Sequence, residues 1–401
     1  MNKTAIYTIT SGLHDESAVR SLSDEFLRSI FPDGGYDFKG ADFSDFGTAE
    51  LNMIYVRTGG AEGIFKELLP KLLDAGVSFF TLLTSGTSNS LAASLEILSF
   101  LKQKGLKGEV LHGSPEYIRG RIAHLEKIAR ARTLLSGGTI GIIGRPSDWL
   151  ISSIYDEGAI LQKLGVSVKD IPMEDLLAEI GTDLPFAGPV PEVRESLPGA
   201  IRIYNALKAL IETYGLGALT LRCFDLLGTV HNTGCYALAK LNSEGIPSSC
   251  EGDVPALLSM MVAQALTGCT GFQANPARID VQTGEMLFAH CTIPFSMVDE
   301  FNYDTHFESG IGVGIHGHFP EGPVTVFKLS GTLDRAFIAE GELFRNQYEQ
   351  NLCRTQVWLR LSPADARYFL TDPIGNHHII IPGHCGELLS EFFSLVCVPR
   401  K

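Results

Sequence analysis

Long apolar runs are missing from this chain of 401 residues, and no stretch reaches the length of a membrane span. Paired cysteines are missing as well. The eight cysteines are scattered, mostly in apolar surroundings, with no Cys-x-x-Cys pair. That excludes a zinc-finger pattern and a disulfide framework, and fits reduced thiols. A basic field is also lacking: 32 basic residues against 46 acidic ones give a net charge of −14. Nucleic acid and an anionic membrane are therefore not expected as partners, because nothing would attract their phosphates. Met1-Asn2-Lys3-Thr4 runs directly into the strand-like Ala5–Ile9 without an apolar leader, so the expected location is cytoplasmic. There is no internal repeat, no low-complexity tract and no nucleotide-binding fingerprint. The polar loops Gly59-Gly60 and Thr84-Ser85-Gly86-Thr87-Ser88-Asn89 have room for sugar hydroxyls or a phosphate, and a turn followed by a helix cap explains them equally well.

A hydrophobic share of 45% and a charged share of 19% describe a soluble globular chain, and its length calls for two or three domains. The first third alternates strands (Ala5–Ile9, Met53–Val56, Phe79–Leu83, Val110–Leu111) with periodic helices. One helix places Ala18, Leu22, Phe26 and Ile30 on a single face, and another Ile64, Leu68 and Leu72. Ser114-Pro115-Glu116 is a helix start with a capping hydroxyl and proline in the first turn. Ser136-Gly137-Gly138 marks a boundary. A second α/β unit opens with the strand Thr139–Ile143, and Ser147 is positioned to cap the helix that ends before Gly165. Gly181–Leu197, rich in Pro and Gly, reads as a loop. Beyond about His290, strand-like runs separated by Gly and Pro predict an antiparallel sheet or small barrel. The expected architecture is α/β: two Rossmann-like parallel-sheet layers, residues 1–136 and 137–289, followed by a β-rich, barrel-like domain at 290–401.

The stretch from Ser249 to Thr292 carries the chemistry. Glu251 lies in Cys250-Glu251-Gly252-Asp253, Asn275 in Gln273-Ala274-Asn275-Pro276, and His290 in Ala289-His290-Cys291-Thr292; His377 follows in Gly375-Asn376-His377-His378. A carboxylate, an amide and two imidazoles on separate elements can fold into one site for a divalent cation. Glu251 ends a strand and precedes a helix, the place where open α/β sheets bind ligands, although a carboxylate favoured by the helix dipole would sit there too. Asp253 reads first as the cap of that helix. Asn-Pro also makes a turn, so Asn275 is a ligand, a turn residue or both. Adjacent residues of a strand point to opposite faces, so only one of His377 and His378 is expected in the site. Cys250 and Cys291, which flank it, read as small buried hydrophobes. His306, and the alternating His316 and His318, read as pocket-wall or surface residues.

The ordered set Gly144-Arg145-Pro146-Ser147-Asp148-Trp149-Leu150-Ile151, Cys250-Glu251-Gly252-Asp253, His290-Cys291-Thr292 and Gly375-Asn376-His377 resembles the L-fucose/L-arabinose isomerase superfamily, specifically its shorter fucose isomerase-like members. The resemblance implies metal-dependent aldose–ketose isomerisation of a small sugar through an enediolate, in a homo-oligomer. It also implies manganese as the cation; the donor set would equally accept magnesium. Glu251 would then be ligand and catalytic base, with Asn275, His290 and His377 as further ligands. The family's enzymes carry an aspartate at about the position of Asn275, where this chain has an amide. That departure keeps open a non-catalytic sugar-binding or regulatory protein, or another carbohydrate reaction, on the same scaffold.

Overall fold

The computed structural model describes residues 4–77, 79–181 and 193–397, which divide into two compact units, the first ending at Thr133 and the second starting at Leu134. Among these residues no helix is long and apolar enough to cross a membrane.

The first unit is built on a parallel sheet of β1 (Thr4–Ile9), β2 (Tyr36–Gly40), β3 (Leu51–Val56), β4 (Phe79–Leu83) and β5 (Lys107–Leu111), in the order β2-β1-β3-β4-β5. β1, with all six residues buried, is covered on both faces, which is why it reads as a continuous apolar run. Two helix faces are rotated from the expected ones. Helix Glu16–Ile30 buries Val19, Ser23, Leu27 and Ile30, leaving Leu22 exposed, and helix Glu62–Asp74 buries Phe65, Leu69 and Leu72. In the first helix the true stripe includes Ser23, a polar residue that an apolar count passes over. Ser114 caps its helix as expected, accepting from the Tyr117 amide at 3.2 Å.

The second unit opens with a parallel sheet of β6 (Thr139–Ile143), β7 (Ser167–Ile171), β8 (Ala218–Leu221) and β9 (Ser248–Cys250), in the order β7-β6-β8-β9. Ser147 does not cap the helix that follows β6. That helix is Glu157–Leu164, capped by Asp156, whose carboxylate accepts from the Ala159 amide at 3.0 Å. The Ser147 amide instead donates to the Glu251 carbonyl at 2.9 Å, so the intervening segment is drawn to the end of β9. Most of the Pro- and Gly-rich loop expected at Gly181–Leu197 lies outside the described residues; its last five belong to helix Val193–Tyr214.

The same unit then forms a closed antiparallel barrel. Its strands are β10 (Phe272–Asp280), β11 (Glu285–His290), β14 (Gly322–Leu329), β15 (Ala336–Gln347), β16 (Thr355–Arg360) and β17 (His378–Pro382). They close in the order β10-β11-β16-β15-β14-β17, with the hairpin-like pair β12 (Glu300–Asp304) and β13 (Gly314–His318) outside the ring. Alternate residues such as Phe272, Phe288, Val326, Val357 and Ile380 fill one continuous apolar core. The barrel takes its first two strands from sequence up to and including His290, so it begins earlier than the expected boundary at 290. β9 and β10 are tied directly, because the Gln273 carboxamide accepts from the Cys250 amide at 2.8 Å.

Candidate cation site

Glu251 follows β9 in the left-handed region, at φ +65°, a strained conformation for a residue with a side chain. Gly252 continues the bend at φ +73°, where an added Cβ would lie 2.6 Å from the Arg145 carbonyl oxygen. Only glycine allows the segment that follows β6 to pass this close. Asp253 then caps helix Val254–Thr267, accepting from the Ala256 amide at 2.9 Å. This turn, from strand end to helix start, fixes where the Glu251 carboxylate points.

Three expected donors converge. Ligand-competent atoms of Glu251, His290 and His377 all lie within 4.8 Å of one another, and all three residues are at least largely buried. His377 Nε2 stands 3.5 Å and His290 Nε2 3.9 Å from Glu251 Oε1. These are ion-pair distances rather than hydrogen bonds, and His377 Nε2 is buried without a protein hydrogen-bond partner. The two rings are perpendicular, with centroids 5.4 Å apart. Each imidazole is anchored through its other nitrogen. His377 Nδ1 is 2.8 Å from Asp253 Oδ2, and His290 Nδ1 is 2.9 Å from Thr292 Oγ1. Anchoring one ring nitrogen to leave the second free is how proteins orient imidazoles toward a metal.

The charges follow from burial and neighbours. Burial alone would raise the Glu251 carboxyl, but His377, then His290 and the Trp149 N–H, outweigh it and bring its pKa down to about 2. Burial and the nearby His377 lower His290 to about 3, so it is neutral. Burial works against charge on His377 too, but Asp253 and Glu251 raise it to about 9. The free site thus holds a carboxylate against an imidazolium. The donor set, one carboxylate oxygen and two imidazole nitrogens, fits a divalent cation, which would take the place of the His377 Nε2 proton.

Asn275 is placed differently from the other three. Asn275-Pro276 lies within β10 rather than in a turn, and the ladder to β11 shifts register between Pro276 and Arg278, an irregularity that accommodates the proline. The Asn275 carboxamide oxygen accepts from Asn376 Nδ2 at 3.1 Å, one residue before His377. Its link to the cluster runs through that neighbour. His378 pairs opposite Ala274 and turns into the barrel core, 3.2 Å from the Tyr368 hydroxyl and 4.5 Å ring to ring from Phe369. The structure therefore brings His377, not His378, to the cluster.

Sequence reasoning gave no role in the site to several side chains around the cluster. Trp149, half-exposed, donates its indole N–H to Glu251 Oε2 at 2.6 Å, leaving Oε1 facing the histidines. Phe224 packs edge-on against Trp149 and against His306. Arg222 holds this wall by donating to the Pro146 carbonyl at 2.6 Å and to Asp148 at 2.7 Å. Asp253 does more than cap its helix, and the buried Lys328 lies 3.4 Å from both of its oxygens. The motif containing Trp149 was visible in sequence; the contact of its indole with Glu251, 102 residues later, was not.

No family model matches the chain. It is 33% identical over 129 residues to a sulfoquinovose isomerase from Clostridium sp. (strain MSTE9), covering 32% of this chain and 27% of that protein. It is 22% identical over 337 residues to a sulfoquinovose isomerase from Priestia aryabhattai, covering 78% of this chain and 75% of that protein. A sulfoquinovose isomerase from Alkalicoccus urumqiensis is 22% identical over 277 residues, covering 63% and 62%. The chain thus spans about a quarter of the first relative's length and three quarters of the second's.

Proposed function

We propose, from the premise that this chain belongs to the L-fucose/L-arabinose isomerase-like superfamily, that it is an aldose–ketose isomerase acting on a small sugar. One observation carries the reading: Glu251, His290 and His377 converge within 4.8 Å, and His377 Nε2 is buried without a protein partner. The reading includes manganese, or magnesium, at these donors, with Asn275 adding a neutral oxygen from beside His377. A bound divalent cation supplies positive charge against the two sugar oxygens that become negative in an enediolate.

The chain's own residues do the rest. Glu251 is ionised at neutral pH and takes the proton from the carbon next to the sugar carbonyl, returning it to the neighbouring carbon. Trp149 donates to Glu251 Oε2, which fixes the orientation of the carboxylate. Phe224 packs edge-on against Trp149 and supports the indole beside Glu251. The reading takes L-fucose and L-arabinose as candidate sugars from the resemblance, and the names of the relatives add sulfoquinovose. The reading also includes a cytoplasmic homo-oligomer, which light scattering on the purified protein would test.

The neutral Asn275 favours one other reading, a sugar-binding protein that has lost catalysis. The deciding experiment is a screen of L-fucose, L-arabinose and sulfoquinovose in deuterated water with added manganese. Deuterium entering a sugar, together with its ketose, is the expected result. Saturable sugar binding without exchange would overturn the enzyme in favour of the binding protein.

A further inference from the structure

We propose that Lys328 is a positioning residue for the cation site, acting through Asp253 on His377. The proposal rests on reading Glu251, His290 and His377 as that site. Lys328 continues the alternation of Val324 and Val326 on β14, both members of the apolar core, so its stem occupies a core position. It is only 1% exposed and, among the described residues, the one charged side chain of the largest fully buried ones. Burying an ammonium is costly unless a partner charge offsets it, and such a group weakens a core that a leucine would fill. The partner is Asp253, also fully buried, with both oxygens 3.4 Å from Lys328 Nζ.

A helix cap needs neither the burial nor the ammonium. Asparagine or serine caps as well, without a charge to compensate. What the pair provides is a carboxylate fixed in place, with the ammonium against both of its oxygens. Its Oδ1 accepts from the Ala256 amide at 2.9 Å, and its Oδ2 faces His377 Nδ1 at 2.8 Å. The Nδ1–H of His377 therefore has a fixed acceptor, and Nε2 is the nitrogen directed at Glu251 and His290. The result is a row of contacts, from Lys328 to Asp253 to His377 to Glu251, that starts in the barrel and ends at the site. Without the ammonium, which contacts both oxygens, the Asp253 side chain loses the contact that holds Oδ2 toward the His377 ring.

The test is manganese titration by calorimetry on wild type, Lys328→Met, Asp253→Asn and the double variant, each checked for a cooperative melt. Each single change is expected to weaken manganese binding about 10- to 100-fold, the usual effect of losing a group that orients a ligand. The double variant should bind no more weakly than Asp253→Asn alone, because Lys328 acts only through Asp253. It also removes both charges, so it folds even if the lone buried carboxylate of Lys328→Met does not. Nitrogen-15 spectra of the imidazoles give a second readout that packing alone would not move: Lys328→Met, or the double variant in its place, should shift the His377 Nδ1 resonance. Wild-type affinity in a folded Lys328→Met would overturn the proposal, as would losses from the two single variants that add in the double one. If wild type binds no manganese, the cation reading fails; the His377 resonance then decides the positioning role, and an unshifted signal ends it.

Discussion

Asn275→Asp probes the point at which this chain departs from the superfamily it resembles. The side chains are nearly isosteric, and an aspartate oxygen still accepts from Asn376 Nδ2, now 3.1 Å away. The position is only half-buried, so the new carboxylate is not forced into a dry core. Glu251 is the single carboxylate among the three converging donors, so the change would add a second negative charge beside a dication. At an effective dielectric of about 20, a unit charge in the immediate surroundings of a dication is attracted by several kcal/mol before costs. Desolvation and repulsion from Glu251 remove most of that, leaving about 1.4 to 2.8 kcal/mol, or about 10- to 100-fold in affinity. Calorimetric titration of wild type and variant with manganese, at one pH and salt, measures it. A carboxylate here also supplies a second proton carrier, so solvent exchange at the sugar should rise with the affinity. An unchanged affinity would refute the placement of Asn275 beside the cation and leave it a strand residue hydrogen-bonded to Asn376.

Other perturbations test separate parts of the site. Gly252→Ala forces a Cβ to 2.6 Å from both the Arg145 carbonyl oxygen and Pro146 Cα, at φ +73°; a loss of about 2 kcal/mol or more is expected in chemical denaturation, and wild-type stability would refute the close approach. Trp149→Phe keeps an aromatic ring against Phe224 but removes the N–H that binds Glu251 Oε2. It should weaken manganese binding several-fold with little change in melting temperature, and a variant indistinguishable from wild type would remove Trp149 from the site. Burial, then Lys328, lowers His378 to about 3, below its unfolded value. Between about pH 6.5 and 3 the unfolded chain binds the extra proton, so stability falls as pH falls, by about 2 kcal/mol at pH 5 from this group. His378→Phe should flatten the acid limb of denaturant midpoint against pH, and an unaltered limb would show that His378 is protonated in the folded core.

Much of this organisation is legible in the residues. The continuous apolar strands of the first unit announce a parallel sheet covered on both faces, and Glu251 sits at a strand end before a capped helix, as its local pattern says. His377 and His378 do part as the adjacent-residue argument expects, although His377 lies just before β17 and only His378 is in the strand. What was not legible depends on contacts between distant segments. Ser147 looked like a cap because its side chain suits one; its amide is taken by Glu251, 104 positions later, which no local pattern encodes. Asn275-Pro276 looked like a turn because that dipeptide favours one, yet a register shift in the β10–β11 ladder keeps it in a strand. Lys328 follows Val324 and Val326 in alternation and gives no local sign that its charge is matched by Asp253, 75 residues earlier.

The claim at the centre of the account is that Glu251, His290 and His377 form one cation site. Crystals of the protein soaked in manganese, with diffraction recorded on both sides of the manganese absorption edge, test it most directly. The account predicts one strong anomalous peak within coordination distance of a Glu251 carboxylate oxygen and of Nε2 of both His290 and His377, and its loss in Glu251→Gln. A peak elsewhere on the molecule, or one that persists in Glu251→Gln, would contradict it.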